Sequence, residues 1–222
     1  TFKAVSLAAV MEEGLARAQT PVFCENGALA LANNDTITDV SPHGILTMAE
    51  VVEKSSNIGA IKLVRRMEKR DFYEYIRRFG FGTRTGIGLP AESTGLLRGT
   101  STWSKRSLET LAIGQELSVT LLQLAQAFGA IANGGLLMTP NIEKRAVGDE
   151  PQVVRRVISE KTSAQMRSIL ATAVQSGTGK KASWSGLKVA GKTGTAQRAR
   201  ADGSGYAADE NIASFIGFAP AD

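Results

Sequence analysis

Three short groups of residues in this chain have the types and spacing that acyl-transfer chemistry uses. Thr1-Phe2-Lys3 opens the chain, Ser55-Ser56-Asn57 lies in the first third, and Lys192-Thr193-Gly194-Thr195 stands near the end. Each has an ordinary reading by itself: an exposed lysine, a polar turn between helices, the entry to a strand. Their order along one chain gives them weight. A lysine in the first turn of a helix shares a face with the residue three positions earlier, so Lys3 is placed to exchange a proton with a hydroxyl there. The chain has one histidine, His43, in the loop-like Ser41-Pro42-His43-Gly44, which argues against a Ser-His-Asp triad and a multi-histidine zinc site within it. One cysteine, Cys24, excludes an internal disulfide and a cysteine-rich metal site, and reads as a half-buried free thiol. If the chain serves a hydroxyl nucleophile, the base is something other than a triad histidine, and lysine is the obvious candidate.

The elements that would carry these groups can be read along the chain. Phe2, Val5, Leu7, Ala9, Val10 and Met11 predict a mostly buried helix to about Arg17. Residues 20–46 are punctuated by Pro21, Asn26-Gly27, Asn33-Asn34 and Pro42, and read as loop and short strands. Thr47 with Glu50 three residues later forms a capping box that starts a short helix ending near Lys54. Ser55-Ser56-Asn57 therefore falls at a helix–helix junction. Two more helices are expected over 58–67 and 71–79, followed by a long Gly-rich connection over 80–99. The apolar stretch 108–133 reads as two helices broken near Gly114 and closed by Asn133-Gly134-Gly135. Another helix spans 159–174 and runs into the Gly-rich loop 176–180, whose spacing does not match a phosphate-binding loop. Residues 187–191 lead into Lys192 as a strand, 201–209 read as a mobile hairpin connection, and 212–218 as the last strand. Helices first and sheet last give an α+β class, with a helical part over roughly 1–175 and a sheet part over roughly 185–222.

At 222 residues and 43% hydrophobic content the chain can bury a substantial core. The net charge of +5 is spread along the sequence, with Arg65-Arg66 and Arg77-Arg78 on helix faces, so it does not indicate nucleic-acid binding. No apolar stretch reaches the length of a membrane span, and no signal peptide opens the chain.

The combination Ser-x-x-Lys, Ser-Asp-Asn and Lys-Thr-Gly marks penicillin-binding proteins and β-lactamases. Here the middle group reads Ser-Ser-Asn, and the first shows only Thr-Phe-Lys. On these groups the chain resembles the transpeptidase domain of a class B penicillin-binding protein, most closely the cell-division (septal) type. The resemblance runs over essentially all 222 residues and includes Gly86-Ile87-Gly88-Leu89-Pro90-Ala91-Glu92, Ile113-Gly114-Gln115-Glu116-Leu117-Ser118-Val119-Thr120, Leu122-Gln123-Leu124-Ala125 and Ala213-Ser214-Phe215-Ile216-Gly217-Phe218-Ala219-Pro220.

The resemblance implies a penicillin-binding fold, an antiparallel sheet flanked by helices, that is truncated at both ends and would leave an unpaired sheet edge. It implies that the residue before Thr1 is the nucleophilic serine of a D,D-transpeptidase. Lys3 is then its base, once burial and the nearby Lys192 cation lower it from about 10.4. Ser55 relays a proton to the departing D-alanine. Asn57 donates to the substrate backbone and holds Lys3. Lys192 and the hydroxyls of Thr193 and Thr195 receive the substrate carboxylate. Gly194 allows close approach of the strand, and the Thr195 N–H completes an oxyanion hole. No cofactor and no metal are implied. The implied partners are peptidoglycan stem peptides, β-lactam antibiotics, a membrane glycosyltransferase and divisome proteins. The implied location is the extracytoplasmic face of the bacterial inner membrane, reached through an N-terminal anchor.

Three rivals stay open on sequence. A β-lactamase or β-lactam sensor shares the fold, although class D enzymes carry an aliphatic residue where Asn57 stands, and no segment supplies the deacylating glutamate of class A. A domain that has lost its serine and serves as a scaffold would have little use for Lys3, Asn57 and Lys192 together. Thr1 as an N-terminal nucleophile does not suit a chain that enters a helix directly.

Overall fold

The computed structural model describes residues 1–31, 35–144, 148, 150–199 and 206–221. Among these the chain is α+β. A helix α1, Lys3–Glu12, runs through the centre, and nine consecutive residues from Lys3 to Met11 are buried. A helix that is apolar all round belongs in a core. Helices α2 (Met48–Lys54), α3 (Asn57–Val64), α4 (Lys69–Arg78), α5 (Ser107–Ala112), α6 (Leu121–Ala132) and α7 (Glu160–Gln175) pack about it or against one another. Phe72, Phe79, Phe81 and Phe128 are the largest apolar side chains in the core. The Phe2 and Phe81 rings meet at 5.2 Å and pin the start of α1.

Among the described residues eight strands pair as four antiparallel two-stranded ribbons. Strands β1 (Pro21–Phe23) and β4 (Ile45–Thr47) pair, as do β2 (Ala28–Ala30) and β3 (Thr36–Thr38), and β5 (Leu136–Met138) pairs with β6 (Val153–Arg156). The long pair is β7 (Ala190–Ala199) with β8 (Tyr206–Phe218), in register from Ala190 opposite Phe218 to Gln197 opposite Asn211. Helix α7 packs against β7 and, on its other sides, against α2, α6 and α1. It is the strut between the helical body and the long hairpin.

Several boundaries depart from the sequence expectation. Helix α1 stops at Glu12 rather than near Arg17. Gly14 takes a φ of +69°, and the Leu15 N–H reaches back to the Val10 carbonyl at 3.1 Å, a left-handed cap that closes the helix. The break between α5 and α6 spans 113–120 rather than one glycine. Glu116 secures it: its carboxylate accepts from Ser107 Oγ at 2.8 Å, Thr110 Oγ1 at 2.7 Å and an Arg98 guanidinium nitrogen at 2.6 Å. Cys24 is fully buried rather than half-buried. Of the connection expected over 201–209, residues 206–209 already belong to β8 and 201–205 lie outside the described residues. The capping box at Thr47 and Glu50 is present, with Glu50 accepting from the Thr47 N–H at 2.7 Å. None of the helices among the described residues is long and apolar enough to cross a membrane.

Candidate active site

The three groups named from the sequence line one cleft of about 540 Å³. Lys3 rises from the first turn of α1, Ser55 to Asn57 from the α2–α3 junction, and Thr193 to Thr195 from β7. Lys192, next to them on β7, is fully buried.

The α2–α3 junction is built by backbone geometry and one carboxylate. Ser55 caps α2 in the left-handed region, with φ +62° and ψ +34°, which turns the chain sharply and aims the next residues into the cleft. Ser56 starts α3: its hydroxyl accepts the Gly59 N–H at 2.9 Å. The same hydroxyl donates to Asp39 Oδ2 at 2.5 Å. Asp39 Oδ1 accepts from the Asn57 and Ile58 N–H groups, the second at 3.2 Å. A carboxylate at the first turn of a helix satisfies donors that have no partner within the helix and opposes the positive end of its dipole. Asp39 was not legible from the sequence as part of the site, yet it holds two of the three motif residues in place.

Lys3 is 8% exposed, and its Nζ donates to the Ser55 carbonyl at 2.7 Å and the Ser55 hydroxyl at 3.2 Å. Burial and then the Lys192 cation push its pKa down to about 7, against an opposing pull from Asp39. Asn57 does not hold Lys3 among the described hydrogen bonds. Its Nδ2 donates to the Thr38 carbonyl at 2.8 Å, tying the junction to β3.

On the strand side, burial pushes the Lys192 pKa down to about 8. Its Nζ donates to the Thr193 carbonyl at 3.3 Å, Thr193 Oγ1 at 3.4 Å and Thr178 Oγ1 at 3.3 Å. The Thr1 nitrogen donates to the Thr193 carbonyl at 3.1 Å, so the start of α1 lies directly against β7. That contact accounts for Gly194. A Cβ there would sit 2.7 Å from the Thr1 nitrogen and 2.7 Å from Ser214 Oγ, so the close approach that requires glycine is to the protein's own backbone.

The third wall is 113–115. A Cβ on Gly114, at φ +89°, would lie 2.6 Å from Phe2 Cβ. Gln115 and the loop residue His43 also line the cleft, so this stretch shapes the site as well as packing it. Among the described residues no group of histidine, cysteine, aspartate and glutamate side chains is arranged to hold a metal.

A buried lysine poised near neutrality beside a serine, facing a second lysine among hydroxyls, can move a proton and hold an anion in one cleft. Comparison with known proteins agrees in kind. Residues 1–222 match the family described as the penicillin-binding protein transpeptidase domain. The chain is 39% identical over 232 residues to stage V sporulation protein D of Bacillus subtilis, covering 100% of the chain and 36% of that protein. It is 38% identical over 240 residues to penicillin-binding protein PbpB of Mycolicibacterium smegmatis, covering 99% of the chain and 36% of that protein. The chain thus spans about a third of the length of these curated relatives. Among solved structures, the apo transpeptidase domain of Burkholderia pseudomallei penicillin-binding protein 3 superposes with a TM-score of 0.92 at 34% identity, covering 99% of this chain and 65% of that one. Penicillin-binding protein 3 of Mycobacterium tuberculosis complexed with aztreonam gives 0.89 at 35% identity, covering 99% and 52%.

Proposed function

The chain belongs to the penicillin-binding protein transpeptidase domain family, and from that premise we propose that it carries the acyl-transfer site of a peptidoglycan D,D-transpeptidase of the class B, cell-division type. The observation that carries the reading is Lys3: buried, hydrogen-bonded to Ser55, and pushed down to about 7 beside Lys192.

In this reading the nucleophile is a serine directly before Thr1 in the longer protein. Its oxygen attacks the carbonyl carbon of the penultimate D-alanine, and its proton passes to neutral Lys3. Lys192 and Thr193 hold the terminal carboxylate, which fixes the scissile bond against the nucleophile. The Thr195 N–H, at the cleft edge of β7, stabilises the developing oxyanion. The C–N bond then breaks, and the leaving D-alanine amine takes a proton from Lys3 through Ser55, the hydroxyl that Lys3 contacts at 3.2 Å. A second stem-peptide amine attacks the ester carbonyl and passes its proton through Ser55 to Lys3; the ester C–O bond breaks, and Lys3 returns that proton to the leaving serine oxygen. Asn57, anchored to Thr38 and Asp39, presents the junction to the donor peptide. A β-lactam acylates the same serine, but its leaving amine stays tethered, so the adduct clears slowly.

The proposed setting is the extracytoplasmic face of the inner membrane, where a membrane glycosyltransferase would supply strands and divisome proteins would position the domain. The helical part over roughly 1–175 and the sheet part over roughly 185–222 act in this reading as two jaws of a single transpeptidase domain. The test is intact-mass analysis of the longer protein incubated with a penicillin over hours. A persistent adduct on the residue before Thr1 is expected. An adduct that forms and clears within seconds while drug is consumed indicates a β-lactamase, and no adduct at all leaves only a scaffold.

A further inference from the structure

Helix α4 ends in Arg77-Arg78, a doublet that in sequence reads as a solvated helix face. In the fold these two side chains, with Arg84 and Arg155, line a second cavity of about 410 Å³. It lies between the end of α4, the turn after it, α6 and the β5–β6 ribbon, and shares no lining residue with the cleft. Glu74 is the one carboxylate among its described lining residues, against four guanidinium groups.

Part of this charge serves the fold. Arg155 Nε donates to the Arg78 carbonyl at 2.9 Å and Nη2 to the Arg77 carbonyl at 3.2 Å, closing the C-terminus of α4. Arg77 Nη1 donates to the Gly82 carbonyl at 3.2 Å, and Arg78 lies over the Tyr75 ring at 4.8 Å. A helix end carries only about half a negative charge, so one cation answers it and the others are surplus. None of the four forms an ion pair among the described residues. The Glu12 and Glu92 carboxylates feel Arg78 and Arg84 from nearby, but each is engaged by hydrogen bonds, to Ser159 and to Thr85. Burial, and then Arg77 and Arg78, pull the Arg155 pKa below the usual arginine value, so the cluster repels itself. Guanidinium groups fixed on a concave wall and short of carboxylates concentrate a field that attracts an anion.

The floor adds a second demand. Gln126 is 9% exposed, and its Nε2 donates to the Met138 carbonyl at 2.7 Å. That bond orients the amide and leaves Oε1 buried with no hydrogen-bond partner among the described residues. Gly80 stands against this oxygen, where a Cβ would lie 2.9 Å away. Buried acceptors are normally satisfied, so the cavity suits a ligand that brings an N–H together with its negative charge. A phosphate or phosphodiester group has no N–H to give. A peptide with acidic side chains has both, and Leu137 and Val154 on the lining suit the aliphatic stems of those side chains.

We propose that this cavity docks an acidic peptide segment of a partner protein, with its carboxylates on Arg77, Arg84 and Arg155 and a main-chain N–H donated to Gln126 Oε1. The site goes beyond the transpeptidase reading and does not depend on it.

The experiment titrates the longer protein with a fluorescent glutamate-rich peptide, followed by anisotropy, with the glutamine version of the same peptide as control. Arg84→Gln is the informative variant, because Arg84 makes no hydrogen bond among the described residues and its loss leaves α4 closed. Lys180→Gln with Lys181→Gln, two exposed lysines on the loop after α7, controls for general attraction to a basic surface. Removing one charge-assisted bond is expected to weaken peptide binding roughly tenfold in Arg84→Gln, with the melting temperature unchanged. The double lysine variant is expected to bind as wild type does, and the glutamine peptide to bind neither. Equal weakening in the lysine variant overturns the proposal. So does displacement of the peptide by citrate or inorganic phosphate at matched concentration, since neither supplies an N–H. Binding of phosphatidylglycerol vesicles in preference to the peptide, with the same loss in Arg84→Gln, reassigns the cavity to a lipid surface and overturns it too. Absence of peptide binding to wild type overturns it directly, whatever the outcome of the penicillin test.

Discussion

Two of the walls of the cleft are made by different means. The helical wall, α1 with the α2–α3 junction, sits in the core: Lys3 stands among buried neighbours, and the junction is fixed by Asp39. The strand wall is a two-stranded hairpin that leaves large apolar side chains partly open, Ile212 at 57% and Phe215 at 44% exposure. Each wall carries one buried lysine, and the difference between the two lysines is the lesson. Burial lowers both, Lys3, which also faces the Lys192 cation, to about 7 and Lys192 to about 8. The pair therefore divides into one base and one cation without any difference in residue type.

The largest way to break this division is to remove the base. Lys3→Met in the longer protein is expected to lower penicillin acylation by about 10³-fold, the scale of a general base. Lys3→Arg is expected to fail equally, because a guanidinium keeps its proton at any working pH. Recovery of activity in the arginine variant would show that charge, not proton transfer, is what Lys3 provides. In wild type, acylation is expected to rise as Lys3 deprotonates through about pH 7 and to fall as Lys192 deprotonates through about pH 8, a narrow bell. Stopped-flow acylation across pH 5.5–9.5, a range chosen to span about one and a half units beyond each value, checks this.

Next comes Asp39→Asn. It weakens the charge-assisted bonds that hold Ser56, Asn57 and Ile58, and a drop of about tenfold in acylation is expected. Asp39 also raises the Lys3 pKa, so its removal is expected to move the rising limb of the bell to lower pH. A drop in rate with the limb unmoved would confine Asp39 to a scaffolding role. Gly194→Ala tests the contact between the walls. Its Cβ would force β7 away from the Thr1 backbone, with an expected cost of about 1–3 kcal/mol in stability and a parallel loss of acylation. Thermal unfolding with the acylation assay separates the two effects. The smallest effect is expected from Thr47→Ala, which removes the capping box of α2 for about 1 kcal/mol and lowers the melting temperature by a few degrees with little change in chemistry.

What the sequence made legible was local. The capping box at Thr47, the junction at Ser55, the strand through Lys192 and the closure at Asn133 all follow from residues within a few positions of one another. The features that escaped are those where distant segments meet. Asp39 acts on Ser56 from an irregular stretch 17 residues away, so no periodicity marks it. Thr178, on the loop after α7, accepts from Lys192 Nζ across 14 residues of chain. Gly194 reads as allowing close approach of the strand, and a Cβ there would meet the Thr1 nitrogen, from the far end of the chain. Asn57 was expected on Lys3, but no described hydrogen bond joins them, and its Nδ2 donates to the Thr38 carbonyl, a partner visible only once β3 is placed. Glu116 ties the 113–120 connection to α5 through Ser107 and Thr110, which its own sequence neighbours do not reveal.

Ser55 holds a left-handed backbone at φ +62°, a conformation that costs most residues about 1–2 kcal/mol and glycine almost nothing. A population of variants screened for heat resistance alone would therefore be enriched in glycine at position 55, and the same step would strip the cleft of the hydroxyl that Lys3 contacts. Durability and turnover pull this single residue in opposite directions, and an engineered, hardier form of the domain would have to find its gains elsewhere.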